Sequence, residues 1–275
     1  MASIKLPIFL MTDFGLRDTY VGQMRAVIAS AAPDSTIYDL THQVPNFSIE
    51  EGAWLLSTML AFLPDTSITL VIVDPGVGGS RRPIAIKSGD KVFIAPDNGL
   101  LSVWLADELR PPEPAIVSLP TTFPCVQIER SLKNQSSISS TFHGRDIFAP
   151  AAAFLASGGD FNSLGTPLKS LYALPSFEGT TISETEIAGF VIHVDHFGNL
   201  VTTIRSTEIV EDVFVQIEDY IITKQVNAFY EGALLEPVWY VHSSGYVGIT
   251  MNSGNVADFL SVNYGDEVRL VRKRK

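Results

Sequence analysis

With one cysteine, Cys125, among 275 residues, the chain has no intrachain disulfide, a usage that suits a reducing compartment. Cys125 lies in a Pro-containing stretch with no evident base beside it, so an inert thiol is expected. Basic residues are scarce: 19 Lys and Arg against 30 Asp and Glu give a formal net charge of −11. Binding nucleic acid takes a basic patch that neutralises phosphates. The one basic run, Arg269 to Lys275, reads as a solvated terminus. Long apolar runs are absent too; stretches such as Ile68 to Val73 fall far short of the roughly 20 residues that span a bilayer. Neither nucleic acid nor membrane is therefore expected as a partner. The opening MASIKLPIFLMTDFG shows no evident signal peptide, so a cytoplasmic location is expected. His193, Asp195 and His196 are near one another in sequence, but no cysteine or glutamate cluster completes a ligand set, so no metal is expected.

What the chain does hold is apolar residues, 46% against 18% charged, the balance of a well-packed globular protein. Its length is comfortable for two domains. Strand-like and helix-like segments alternate at first. Lys5 to Thr12 reads as a strand, Tyr20 to Ala32 as a helix stopped by Pro33, and Ser35 to Leu40 as a second strand. Ser48-Ile49-Glu50-Glu51 has the form of a capping box opening a helix to Leu63, which Pro64 ends. Ile68 to Val73 is a continuous β-rich run, hence a buried central strand. Pro83 to Lys87 and Val92 to Ala95 form a predicted hairpin, Asn98-Gly99 leads into a short helix to Leu105, and Arg145 to Ala156 reads as an Ala-rich helix. Beyond Gly165 to Glu186, rich in turn and hydroxyl residues, only short alternating segments follow, from Gly189 to Val194 through Glu267 to Val271. The expectation is an α/β domain over 1–170 with a central, mostly parallel sheet. A linker over 171–185 and a smaller all-β, barrel-like domain over 186–275 complete it.

Four strings carry the chemistry: Thr12-Asp13-Phe14-Gly15, Val73-Asp74-Pro75-Gly76-Val77-Gly78, Phe142-His143-Gly144-Arg145-Asp146 and Asp195-His196-Phe197-Gly198-Asn199. The first three set an ionisable side chain beside or near glycine, where backbone can approach a ligand. They fall where apolar runs end, and an α/β fold gathers its site from such strand ends. Asp74 is followed by a turn without bulky side chains, and Arg81 and Arg82 come within reach of a folded-back loop; a structural salt bridge accounts for the same pattern. His143 precedes a helix, a position that favours anions, though a lone histidine is commonly just satisfied. Asp13 can accept two hydrogen bonds from a ribose diol or can cap a turn. Asp-Phe-Gly also occurs in protein kinases, but no Gly-rich loop and lysine precede it here, so that reading fails on order. Asn199 offers the donor and acceptor that an adenine edge requires, and equally suits a turn.

Taken as an ordered set, with Thr41-His42, Ile49-Glu50-Glu51-Gly52 and Ala95-Pro96-Asp97-Asn98-Gly99-Leu100, these strings resemble the SAM hydroxide adenosyltransferase (SAM hydrolase) family, related to the SAM-dependent fluorinase and chlorinase. The similarity runs from Thr12 to about Asn252. The resemblance implies a catalytic trio of Asp74, Arg81 and His143, with hydroxide attacking C5′ of S-adenosyl-L-methionine (SAM) to release adenosine and methionine. It implies ribose binding by Asp13, aromatic walls from Phe47 and Phe142, and further N-terminal contacts from Asp18, Tyr20 and Gly144. It implies that Asp195 holds the methionine ammonium and Asn199 the adenine, with Phe197 beside them. Ser243, Ser244, Met251, Asn252 and Ser253 match C-terminal contacts, although relatives carry an arginine where this chain has Ser244. SAM is then the substrate and no cofactor is implied. A homotrimer is implied, with sites between one subunit's N-terminal domain and its neighbour's C-terminal domain. Two alternatives stand beside hydrolysis. In a halide transferase such as the fluorinase, a tyrosine stands in place of Asp74, a hydroxyl residue in place of Gly144, and an extra loop where Lys87 to Lys91 is short. A non-catalytic adenosine- or SAM-binding module would need the pocket without the trio.

Overall fold

Alternation along the apolar strands sets the layering of the first of two units, Met1–Ser176, in a computed structural model that describes residues 6–129 and 138–273. Its elements are β1 (Ile8–Thr12), α1 (Tyr20–Ala31), β2 (Ile37–Thr41), α2 (Ile49–Met59), β3 (Thr66–Ile72), β4 (Pro83–Ser88) and β5 (Asp90–Pro96), followed by β6 (Ala115–Ser118), β7 (Cys125–Ile128), α3 (Ala149–Ala156), β8 (Gly165–Leu168) and β9 (Ser170–Ala173). Seven strands form one sheet in the order β2-β1-β3-β5-β4-β7-β8. The half from β2 to β5 is parallel, whereas β4, β7 and β8 join it antiparallel, so the sheet is mixed. Successive side chains of a strand face opposite sides. Ile68, Leu70 and Ile72 accordingly join a core with Met24 and Ile28 of α1 and the alanines of α3. Val71 and Val73 join a second core with Leu56 of α2 and Leu100.

Local signals explain most of these elements. α1 buries Val21, Met24 and Ile28, one stripe at helical spacing, and ends just before Pro33. α3 is nearly all small residues, which lets it lie close against α1 and β3. A single π turn, Gly144–Phe148, leads into it, so the continuous helix expected from Arg145 is interrupted at its start. The capping box at Ser48 is not made: the hydroxyl reaches Glu51 Oε2 at 3.4 Å and bonds no backbone N–H. The sequence reading does not contain β6, β7, β8 or β9, each four residues long. Burial, then the nearby Asp97 carboxylate, pushes the Cys125 thiol up to about 12, with Arg82 opposing, which keeps it protonated and unreactive.

The second unit, Phe177–Lys275, contains β10 (Thr180–Ser183), β11 (Glu186–Val194), β12 (Leu200–Arg205), β13 (Val213–Ile217), β14 (Tyr220–Ile222), β15 (Pro237–Val241), β16 (Tyr246–Met251), α4 (Val256–Leu260) and β17 (Glu267–Arg272). The strands run antiparallel in the order β14-β13-β17-β11-β12-β16-β15, with β10 also on β11. Gln225, just past β14, bridges Trp239 of β15 and nearly closes the sheet into a barrel. Its interior holds Val191, Leu200, Val215, Trp239, Ile249 and Leu270. The stretch 171–185 thus contains the end of β9 and all of β10. The basic run is no free tail, since Arg269 to Arg272 belong to β17 between β13 and β11, and Arg269 pairs with Glu186 and Glu267. Lys5 and the last two residues, also named in the sequence reading, lie outside the described residues. Among the described residues no helix is long and apolar enough to cross a membrane.

The tight seat of α3 is testable. Ala152 is fully buried there, so Ala152→Leu should destabilise the fold by roughly 1–3 kcal/mol through overpacking, read as a lower midpoint in chemical denaturation.

Candidate active site

β1 and β3 are parallel neighbours, so the residues that follow them emerge at the same edge of the sheet. These residues are Asp13, after Thr12, and Asp74, after Val73. The carboxyl edge of parallel strands is where open α/β sheets form clefts. From Asp74 the chain turns through Val77, whose N–H donates to Asp74 O at 3.2 Å, and returns toward β4 with Arg81. Gly78 makes this path possible. Its φ is +78°, and a Cβ there would lie 2.1 Å from Ser140 O, in the segment leading to His143.

Arg81 joins Asp74 to His143. Its Nε donates to Asp74 Oδ1 at 2.9 Å and Oδ2 at 3.0 Å, and Nη2 donates to Oδ2 at 2.5 Å. The same Nη2 lies 2.6 Å from His143 Nδ1. A guanidinium has no acceptor, so Nδ1 must accept and a neutral ring carries its proton on Nε2. The Asp74 and Arg81 side chains are 5% and 9% exposed. Arg81 also lies over the Phe148 ring, 5.4 Å from its centroid, while its Nη1 is buried and has no hydrogen-bond partner among the described residues. Burial first, then the Arg81 charge, lowers the His143 pKa below its ordinary value, against the pull of Asp74 and Asp146. The geometry and the electrostatics therefore agree on a neutral imidazole.

Around this trio the other candidates of the first unit take up distinct places. Asp13 Oδ2 accepts from Phe47 N–H at 3.1 Å. Burial raises its pKa, the N–H bonds from Phe47 and its own backbone lower it, and Asp74 raises it. Phe47 has φ +67° and is 70% exposed. Phe142 meets Phe14 and Tyr20 edge-on at 5.9 and 5.3 Å. Gly144 sits against Met24, Phe142 and Phe14, where a Cβ would crowd them at 3.2 to 3.4 Å. Asp18 and Tyr20 are exposed. Sequence reasoning gave no role to Thr12 and His42. Thr12 Oγ1 accepts from Phe14 N–H at 3.2 Å and bonds His42 Nδ1 at 2.8 Å, which ties down the turn bearing Asp13. A cavity of about 620 Å³ lies beside Arg81, lined also by Pro75, Gly76, Ser80, Arg82 and Asn98.

The second unit has its own set. Asp195 Oδ1 accepts from the N–H groups of Phe197 and Asn199, both at 2.8 Å, and Oδ2 accepts from Asn199 Nδ2 at 2.8 Å. Thr250 donates to Asn199 Oδ1 at 2.5 Å. Asn199 is thus turned inward and 4% exposed, whereas Phe197 is 73% exposed. Ser244 donates from both N and Oγ to His242 Nδ1, at 3.1 and 2.6 Å. Burial, then His193, lowers the His242 pKa, with Asp195 opposing. Met251 is buried, Ser243 and Ser253 are exposed, and Asn252 donates to Gly232 O at 2.9 Å. Among the described residues no group of three or more His, Cys, Asp or Glu side chains is arranged to hold a metal ion.

Comparison with known proteins returns one family for both units. Residues 8–165 match the SAM hydroxide adenosyltransferase N-terminal domain and residues 189–269 the C-terminal domain. The chain is 35% identical to the "(R)-S-adenosyl-L-methionine hydrolase" of Thermus thermophilus, over 96% of this chain and 99% of that protein. It is 25% identical to the "Fluorinase" of an Actinoplanes species, over 91% of this chain and 92% of that one. A crystal structure of an uncharacterized conserved protein from Thermotoga maritima superposes with a TM-score of 0.83 at 33% identity, over 96% of this chain and all of that one. With both domain families matched in order along one chain, this protein belongs to the SAM hydroxide adenosyltransferase family.

Proposed function

We propose that this protein hydrolyses SAM to adenosine and L-methionine by attack of water or hydroxide at C5′. The observation that carries the reading is the hydrogen-bonded Asp74–Arg81–His143 constellation, in which the Asp74 and Arg81 side chains are buried. In the reaction the C5′–S bond breaks with its electron pair staying on sulfur, which leaves as the thioether of methionine. A C5′–O bond forms, and one water proton is released. Sulfonium is a good leaving group, so the task is to present an oriented, desolvated oxygen in line with C5′ and sulfur.

The roles follow from hydrogen-bonding capacity. His143 Nε2–H is the donor offered to the attacking oxygen, and Arg81 holds the ring in that tautomer through Nδ1. Asp74 accepts from Arg81 twice on Oδ2 and once on Oδ1, which keeps a lone pair, so it is the group that takes a proton from water. A halide would face the Asp74 carboxylate, with the nearest cation already committed to that carboxylate; hydrolysis therefore ranks above halide transfer.

The substrate contacts are part of the same proposal. Asp13 takes the ribose hydroxyls, and Phe47, Phe142, Tyr20, Asp18 and Gly144 shape the N-terminal side. Asp195 holds the ammonium, and Asn199 has one amide hydrogen and one lone pair left for adenine. Phe197, Ser243, Ser244, Met251, Asn252 and Ser253 complete the set. No cofactor enters this scheme. A homotrimer in which different subunits supply these contacts is supported by the exposed rings of Phe47 and Phe197, and a cytoplasmic location by the single buried thiol.

Three measurements test the proposal. Incubation with SAM in ¹⁸O-water with chloride present should give ¹⁸O-adenosine and unlabelled methionine; 5′-chloro-5′-deoxyadenosine would move the assignment to halide transfer. Asp74→Asn should lower kcat by about 10²- to 10⁴-fold, the usual worth of general-base action, while a non-catalytic binding module would show only altered affinity. The third concerns pH. Because the His143 pKa lies below its ordinary 6.5, a released ring binds a proton more readily than the seated one. The seated arrangement is therefore kept above pH 6.5 and given up as the pH falls below it. The profile of kcat should be flat through 6.5 and drop on the acid side, and His143→Gln should remove that limb; an acid limb unchanged in the variant would assign it to another group.

A further inference from the structure

The string Asp97-Asn98 has no part in the scheme so far, yet its bonds run to the loop that carries two of the three reacting groups. That placement follows from strand order. β5 lies between β3 and β4 in the sheet, so the loop from Asp74 to Arg82 must cross over the end of β5 on its way from one to the other. Asp97 and Asn98 are the residues found there, directly after Pro96. Asn98 Nδ2 donates to Val73 O at 2.8 Å, at the start of the loop. At its end, Asp97 N–H donates to Arg82 O at 2.8 Å, and Arg82 Nε donates to Asp97 Oδ2 at 2.7 Å.

The two residues are themselves held. Asp97 Oδ1 accepts from Tyr172 N–H at 2.7 Å, and Arg82 Nη2 donates to Ser170 O at 3.1 Å, so β9 backs the clamp. Asn98 Oδ1 accepts from Leu100 N–H at 3.4 Å. The Asp97 side chain is buried, where lost hydration has to be met by hydrogen bonds and a charge partner. Neither clamp residue bonds Asp74, Arg81 or His143 through its side chain; both bond the residues next to Asp74 and Arg81.

We propose that Asp97 and Asn98 are positioning residues for SAM cleavage, clamping both ends of the loop so that Asp74 and Arg81 are presented to His143 in register. The inference rests on the reading of Asp74 and Arg81 given above. A loop free at either end would let the Asp74–Arg81 pair drift from His143 while leaving Asp13 and the contacts of the second unit in place. Both residues also line the cavity beside Arg81, so a positioning role shows in kcat and a direct substrate contact in KM.

The test is steady-state hydrolysis of SAM by the full-length Asn98→Ala and Asp97→Asn proteins, with Asp74→Asn alongside and thermal melting of each. Asp97→Asn is nearly isosteric and carries the test where Asn98→Ala does not fold. Both clamp variants should lose about 10- to 100-fold in kcat, the scale of a misplacement of about 1 Å, with KM for SAM within about twofold of wild type. Wild-type kcat in a folded clamp variant, with only the melting point lowered, would overturn the proposal. So would a loss carried entirely by KM. Wild-type turnover in Asp74→Asn would instead remove the reading on which the proposal rests, whatever the clamp variants do.

Discussion

The bonds of one guanidinium, Arg81, hold this site together. Two buried charges brought close have lost most of their hydration, and such a pair is favourable only when its geometry and remaining hydrogen bonds are good. Arg81 meets that condition with a planar fork matched to the Asp74 carboxylate, and with the same nitrogen it fixes the tautomer of His143. Replacing it with lysine would keep the charge and lose the fork. Much of the surrounding structure serves that one placement. Gly78 lets the loop pass Ser140, Phe148 lies against the guanidinium, and the π turn starts the helix directly behind His143.

The sheet explains why such a site can exist at all. Side chains alternating along β1 and β3 feed two separate cores, so both strands are locked in register and their ends cannot slip. A one-residue shift would exchange the faces of every side chain and carry Asp13 and Asp74 away from each other. Packing thus supplies the rigidity that catalytic geometry needs, while the loops after the strands supply the chemistry.

Much of this was legible in the sequence because its signals are local. The β-rich run of Ile68 to Val73, the helix stop at Pro33 and the small residues after Asp74 announce a strand, a helix end and a tight turn without reference to anything distant. The mixed character of the sheet was less visible, since the antiparallel strands β7 and β8 have four residues each, too few to show periodicity. The box at Ser48 failed for a different reason: its hydroxyl found the Glu51 carboxylate instead of the helix backbone. Asp97 and Asn98 were conspicuous as letters, but their bonds depend on β5 lying between β3 and β4, a fact of strand order that no window of sequence contains. Asn199 shows the same limit, because its partner Thr250 is 51 residues away.

Phe47 has a further consequence. Its backbone is in the left-handed region, which for a residue with a Cβ costs on the order of 1–3 kcal/mol, and its ring is left largely in water. The N–H bond to the Asp13 carboxylate, worth roughly 1.5–3 kcal/mol for a charged acceptor, is what holds that conformation. The fold thus keeps a strained residue beside Asp13, its conformation tied to that carboxylate. Whatever covers that ring recovers burial energy without first paying to order the residue, so affinity at this position is written into the strain of the chain as well as into the contacts of the ligand.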